Sequence, residues 1–326
     1  MKAFTYKSAR SEEEAVQALG PRALPLAGGT TLLNLMKDRV VEPDVVVNLK
    51  AIKGFDRIEA LSDGLRIGAG VTLASLLENP AVAKQYPAIA QAVETVATPQ
   101  IRNMATLGGN LCTRPPCWYF SHDLFACAKR GNSNACPARE GENEYSAIFA
   151  NEGPCVAVHG SSVAPALVAL NAVVRIAGPS GAREIPLEKF FALPKDNVLK
   201  ENVLGNNEIV THVSLGKPNV KSATYVVNHK ESHDWPVGLA SVALEMKGDL
   251  CASARVVLGA VAPVPWRSAK AEAALAGKQI SPEVAAAAAS AAVEGALPLS
   301  QNAYKLQTAK GAVRRAVLLA ATGKWS

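Results

Sequence analysis

Residues 117–136 read CWYFSHDLFACAKRGNSNAC, and a fourth thiol, Cys155, follows in NEGPCVAVHG. Grouped thiols can ligate a metal, form disulfides or act as redox groups. In a reducing compartment, metal binding or catalysis is the more common use. The separations are too wide for a compact ferredoxin run. Four inert thiols would sit oddly in a polar loop that contains Pro115-Pro116, Gly131-Asn132 and Gly153-Pro154. On chemistry alone, zinc and iron–sulfur both stay open, because thiolates suit each. Of the other cysteines, Cys112 reads as a small buried hydrophobe and a spare ligand, and Cys251 as structural. The five histidines form no metal pattern. His122 and His159 read as loop residues that could hydrogen-bond near the thiols, and no general base is expected.

A second kind of chemistry lies in two glycine loops. Leu26-Ala27-Gly28-Gly29-Thr30-Thr31 follows an apolar strand and opens a helix. Paired glycines let a backbone approach a pyrophosphate, and successive N–H groups at a helix start favour its charge. The motif is neither G-x-G-x-x-G nor a Walker loop, so by itself it is equally a tight turn. Thr106-Leu107-Gly108-Gly109-Asn110 repeats the theme, preceded by Thr98-Pro99-Gln100-Ile101-Arg102-Asn103. Two such loops suit a long cofactor gripped at more than one point.

The elements that must position these residues follow from the pattern. FTYKSA, ALPLAGG and PDVVVNL read as strands, and EEEAVQAL and TTLLNLMK as helices between them, a β-α-β-α-β order. Ser11 with Glu14 forms a capping box, and Thr30 or Thr31 is the expected cap of the second helix. Residues 55–70 read as two strands and 72–97 as two helices. APALVALNAVVRI is a helix running into a strand, and LEKFFALP a short helix. From about residue 208, EIVTHVSL, SATYVVNH, LASVALEM and CASARVVLGAV are strand-like. Ser281-Pro282-Glu283 starts a helix, and AYKLQTAKGAVRRAVLLA closes the chain as another. The best domain break lies near 180–205.

The chain has 326 residues, 49% hydrophobic and 19% charged, enough for two or three domains with a large core. A net charge of +6 with scattered Lys and Arg, and only 5% aromatics, disfavours nucleic-acid binding. EVAAAAASAAVEGA is too short to span a bilayer, so no membrane span is expected. The start, MKAFTYKSARSEEE, has no apolar stretch of the secretory type, which points to the cytoplasm. Export of a folded complex through a tagged partner subunit would place the protein in the periplasm instead.

The pairing of LPLAGGTTLLNLMK with TPQIRNMATLGGNL resembles the FAD-binding medium subunit of the xanthine dehydrogenase family of molybdenum hydroxylases. The resemblance continues through SSVAPALVALNAVV, GNNEIVTHVSL, VLGAVAPVPWR and NAYKLQTAKGAVRRAV, and so covers nearly the whole chain. It implies an α+β fold. A PCMH-type FAD-binding domain spans 1–180, in subdomains of about 1–54 and 55–180, with an insertion at about 111–160. A CO-dehydrogenase-flavoprotein-like C-terminal domain with an antiparallel sheet and helical bundle spans 181–326. The resemblance places FAD on Leu26, Ala27, Gly28, Gly29, Thr30, Thr31 and Leu32 at the pyrophosphate. It places Thr98, Ile101, Thr106, Gly109 and Asn110 on the flavin side. Ser162 stands where most relatives carry an aspartate on the FAD sugar chain, and a serine still donates and accepts. Lys230 and Trp235 are candidates at the flavin edge, where His229 and His233 also lie.

The thiols now take a meaning from the resemblance. A subset of the family, of the 4-hydroxybenzoyl-CoA reductase and bacterial aldehyde oxidoreductase type, carries a [4Fe-4S] cluster in such an insertion. The implied ligands are Cys117, Cys127, Cys136 and Cys155, with Lys129 and Arg130 either raising the cluster's potential or simply solvated. The implied function is electron transfer through FAD between the [2Fe-2S] clusters of a small subunit and an external acceptor. A large molybdopterin-binding subunit performs the substrate chemistry. A stand-alone FAD-dependent oxidoreductase is the alternative, and a non-catalytic scaffold subunit without flavin a further one.

Overall fold

The computed structural model describes residues 1–217, 219–231 and 233–324. Its first sheet has three parallel strands, β1 (Thr5–Ser8), β2 (Ala23–Leu26) and β3 (Val45–Asn48), in the order β1-β3-β2. The central strand carries the Val46 and Val47 side chains, fully buried, as a run of valines in the middle of a parallel sheet should be. Helices α1 (Glu12–Ala18) and α2 (Leu32–Lys37) make the two crossovers. Ser11 caps α1 by accepting from Glu14 N–H at 3.2 Å. Glu14 reaches back one residue further than a standard box, accepting from Arg10 N–H at 2.8 Å.

The second sheet is antiparallel and has five strands: β4 (Ile58–Leu61), β5 (Gly64–Gly68), β6 (Val173–Gly178), β7 (Gly181–Pro186) and β8 (Ile209–Gly216), in the order β4-β5-β8-β6-β7. The break expected near 180–205 therefore falls inside this sheet. β7 pairs with β6, and β8 lies at its centre, with Val213 and Leu215 buried. The chain passes to the next sheet only after Gly216. Residues 72–97 form three helices rather than two: α3 (Leu73–Glu78), α4 (Pro80–Gln85) and α5 (Pro87–Glu94). Pro80 and Pro87 each open a helix, because proline cannot donate to the preceding turn. Helices α6 (Pro99–Met104), α7 (Leu107–Leu111), α8 (Trp118–Ser121) and α9 (Val163–Ala169) follow. LEKFFALP contributes one 3-10 turn over Leu187–Lys189. One core joins α1, α3, α5, α7 and α9 to this sheet, with Leu73, Ile89, Leu107, Leu167 and Phe190 fully buried.

The third sheet runs β12-β11-β10-β9, antiparallel, from β9 (Lys221–Asn228), β10 (Pro236–Lys247), β11 (Leu250–Gly259) and β12 (Trp266–Arg267), with β13 (Lys278–Gln279) on β11. Helices α10 (Ala269–Leu275) and α12 (Lys305–Thr322) pack on it, and α11 (Pro282–Ala292) packs on those two helices. Buried alanines at 285, 288, 289, 309, 312 and 316 let α11 and α12 approach closely and explain the alanine-rich run. Ser281 caps α11, with Pro282 at its first position. Among the described residues, no helix is long and apolar enough to cross a membrane.

Candidate functional site

The two glycine loops meet backbone to backbone. A Cβ on Gly28 would lie 2.0 Å from the Met104 carbonyl oxygen, so only glycine permits this approach. Gly29 has φ +76°, and its carbonyl accepts from Leu33 N–H at 3.0 Å. Thr31 is the residue before α2, as expected, yet its hydroxyl makes no capping bond. It lies 3.3 Å from the Thr113 hydroxyl instead, tying the first loop to the chain just past the second. The second loop is built from two caps. Thr98 accepts from Ile101 N–H and Thr106 from Gly109 N–H, each at 3.2 Å.

Between the loops is a cavity of about 270 Å³. Ala27, Thr31, Leu32, Gly109, Cys112 and Arg114 line it, facing a wall from Leu204 to Val210. That is near the lower end of small-molecule sites, so a dinucleotide would extend beyond it along the loops. Of the other expected residues, Leu26 ends β2 and packs on Gly29, and Thr30 lies in the turn. Ile101 is exposed on α6. The Asn110 side-chain oxygen accepts from the Ser161 hydroxyl at 2.6 Å, and Ser161 in turn accepts from Ala164 N–H. Ser162 is buried and makes no side-chain cap. Lys230 is exposed, its N–H held by Asp234. The segment around it leans on the site: His233 Nδ1 lies 3.1 Å from the Ala97 carbonyl, and the Trp235 ring packs at Gly160.

Of the four thiols named from the sequence, Cys136 and Cys155 are in hydrogen-bonding contact, and Cys117 lies within electrostatic reach of Cys127 and Cys136. Hydrogen bonding from the Cys155 thiol, with help from the Val156 and Ala138 N–H groups, lowers Cys136. The same contact, and then burial, pushes Cys155 up. Burial raises Cys117 against N–H groups of Phe120 and Tyr119. Among the described residues, no group of three or more His, Cys, Asp or Glu side chains is drawn together tightly enough for a single metal ion. Cys112 stands apart. Burial raises it to about 12, and its residual accessibility is to the cavity it lines. Cys251 is fully buried in the core of the third sheet.

Of the basic neighbours of the thiols, Lys129 is buried and Arg130 half-buried. Lys129 is 5% exposed, with Nζ 3.0 Å from Glu201 Oε1 and donating to the Val198 and Lys200 carbonyls. Arg130 ties down its own loop through the carbonyls of Tyr119, Phe120, His122 and Phe125. Arg114 Nε approaches the same Glu201 oxygen at 3.2 Å, and its guanidinium lies 4.6 Å from the Phe120 ring centroid. These contacts on Glu201 are ionic rather than well-aligned hydrogen bonds, since Arg114 Nε and Glu201 Oε1 have no hydrogen-bond partner. His159 is buried against the Phe191 ring, and its Nδ1 accepts from Ser161 N–H at 3.2 Å. The ring proton is therefore on Nε2, which makes no well-aligned hydrogen bond, while the Leu111 backbone lies within reach of the ring. Burial lowers this histidine to about 4. Sequence reasoning missed Arg114 and Glu201. Arg114 precedes the first thiol in TRPPC, which is a faint signal, whereas Glu201 lies in a polar connection that offers none.

Comparison with known proteins gives the site a context. Residues 2–218 match the family described as "FAD binding domain in molybdopterin dehydrogenase", and residues 223–320 that described as "CO dehydrogenase flavoprotein C-terminal domain". The chain is 34% identical over 316 residues to the aldehyde oxidoreductase FAD-binding subunit PaoB of Escherichia coli (strain K12), covering 95% of this chain and 96% of that one. It is 27% identical over 325 residues to the carbon monoxide dehydrogenase medium chain of Hydrogenophaga pseudoflava, covering 96% of each. A chain of quinoline 2-oxidoreductase from Pseudomonas putida 86 has the same fold, with a TM-score of 0.78 over 100% of both chains at 26% identity.

Proposed function

This chain belongs to the FAD-binding medium subunits of the xanthine dehydrogenase and carbon monoxide dehydrogenase family, and from that premise we propose that it carries both FAD and a [4Fe-4S] cluster. In this reading it passes electrons between the [2Fe-2S] clusters of a small partner and an external acceptor, while a large molybdopterin-binding partner handles the substrate. Bound FAD supplies one- and two-electron chemistry, and a bound cubane stores single electrons. The chain's own residues hold and orient. Leu26 to Leu32 present backbone at close range to a pyrophosphate. Thr98, Ile101, Thr106, Gly109 and Asn110 form the other side of the cleft, with Ser162 and Lys230 as outlying contacts.

What supports the cluster is the pairwise contact of the thiols, Cys136 with Cys155 and Cys117 with Cys127 and Cys136, together with backbone N–H groups at three of the sulfurs. Such N–H groups stabilise thiolates. A cubane holds its four thiolates farther apart than one ion does, which suits thiols that interact without closing on a common point. Cys112, raised to about 12 by burial, is a poor substitute ligand.

Anaerobic purification followed by a visible spectrum, with flavin, iron and zinc measured on one sample, tests the reading. The expected result is one flavin and about four irons per chain. Cys127→Ser should lose the iron and keep flavin. Four irons retained in that variant would overturn the ligand assignment, and zinc in place of iron would overturn the cluster.

A further inference from the structure

Two buried charges and one half-buried charge link the flavin cavity to the thiols, and neither cofactor's grip accounts for them. Arg114 lines the cavity, Lys129 sits two residues from Cys127, and Glu201 touches both. The side chains of Lys129 and Glu201 are 5% and 8% exposed, and that of Arg114 is 29% exposed. Burying an ion is costly unless it is well paired. Here two cations share one carboxylate, a net charge of +1 held mostly away from water. Arg114 is fixed further by the Phe120 ring and by donating from Nη2 to the Lys129 carbonyl. Lys129 also clamps the Val198 and Lys200 carbonyls, on the connection that continues into the cavity wall at Leu204.

The field of this group reaches both sites. At the cavity, Glu201 opposes ionisation of Cys112. At the thiols, the buried Lys129 ammonium lies two residues along the chain from Cys127. In a region of low dielectric, such interactions are screened far less than on the surface.

We propose that Arg114, Glu201 and Lys129 are positioning residues forming an electrostatic bridge, through which the flavin cavity and the thiol site share one buried field, so that charge at either site sets the reduction potential of the other. The inference rests on the FAD and [4Fe-4S] reading above. Its signs are fixed by electrostatics, because a positive neighbour favours the state that has gained an electron. Glu201→Gln removes a negative charge and should raise the potentials of both centres. Lys129→Met removes a positive charge and should lower both. Cys127→Ser, by removing the anionic cluster, should raise the flavin potential while the bridge stays intact.

The experiment is a spectroelectrochemical titration of the full chain, following flavin in the visible and the cluster by electron paramagnetic resonance. Flavin and iron are first assayed in the wild-type protein. A wild type without either one removes the underlying reading before any variant is made. With both present, shifts of opposite sign in Glu201→Gln and Lys129→Met support the bridge. Shifts of the same sign, or none, overturn it, because structural damage has no reason to follow charge. Should Lys129→Met or Glu201→Gln fail to fold with its cofactors, the flavin potential of Cys127→Ser decides: a rise supports the bridge, and an unchanged value overturns it.

Discussion

Gly28 shows how much one hydrogen in place of a methyl can carry. Its missing Cβ is the space occupied by the Met104 carbonyl, and Ala105 Cα would lie 2.9 Å away. Backbone atoms on both sides cannot swing aside as a side chain would. Gly28→Ala should cost roughly 1–3 kcal/mol in overpacking and pry the two loops apart. A lower melting temperature together with lower flavin content after gel filtration is the expected outcome. A variant that melts and retains flavin like the wild type would mean the loops touch differently. At this scale the sequence was informative where a residue type has a narrow use. Paired glycines and grouped cysteines announce themselves. Glu201 did not, because a glutamate in a polar connection normally faces water, and its burial depends on two cations brought in from residues 114 and 129.

Short helices hold the second loop, and their caps are its weak points. Thr106 is 1% exposed, and its hydroxyl serves the N–H of Gly109, which lines the cavity. Thr106→Val keeps the shape and removes the acceptor. It should cost about 1 kcal/mol of stability and weaken flavin retention, and Thr106→Ser should restore both. Thermal melts and flavin-to-protein ratios check this. The strands and helices of the first sheet were legible because their apolar spacing has a clear period. The division of 72–97 into three helices was written in Pro80 and Pro87, and the period alone hid it. The membership of β8 was not legible. A strand distant in sequence from its partners β5 and β6 has no local mark of its sheet, and only the pairing of Val213 with Ile67 and Val174 reveals it.

At the scale of the molecule, the cysteine-bearing insertion leaves its own domain and lodges in the next. Ile148 and Phe149 join the core of the third sheet, and Phe149 stacks on Trp266 at 4.9 Å. Asn302 donates to the Ser146 carbonyl at 3.0 Å, and the Asn151 side chain to the Leu297 carbonyl at 2.7 Å. Lys305, 1% exposed on α12, donates to the carbonyls of Tyr145 and Ala260, each at 2.8 Å. Burial lowers it from 10.5 to about 7. A lysine depressed on folding weakens the fold when charged: the penalty is full below the folded value and fades as pH rises toward the unfolded one. Stability of the wild type relative to Lys305→Met should therefore increase between about pH 7 and 10.5, by a few kcal/mol at most, in paired denaturant titrations. A flat difference would show that Lys305 stays charged in place. The same seam has a consequence in time. Hydrogen bonds between 143–151 and 297–305 join residues 146 to 160 apart in the chain. A ribosome delivers the thiols long before it delivers the partners that seat their loop. The hydrogen bonds that seat the end of the cysteine-bearing loop can therefore close only late in synthesis.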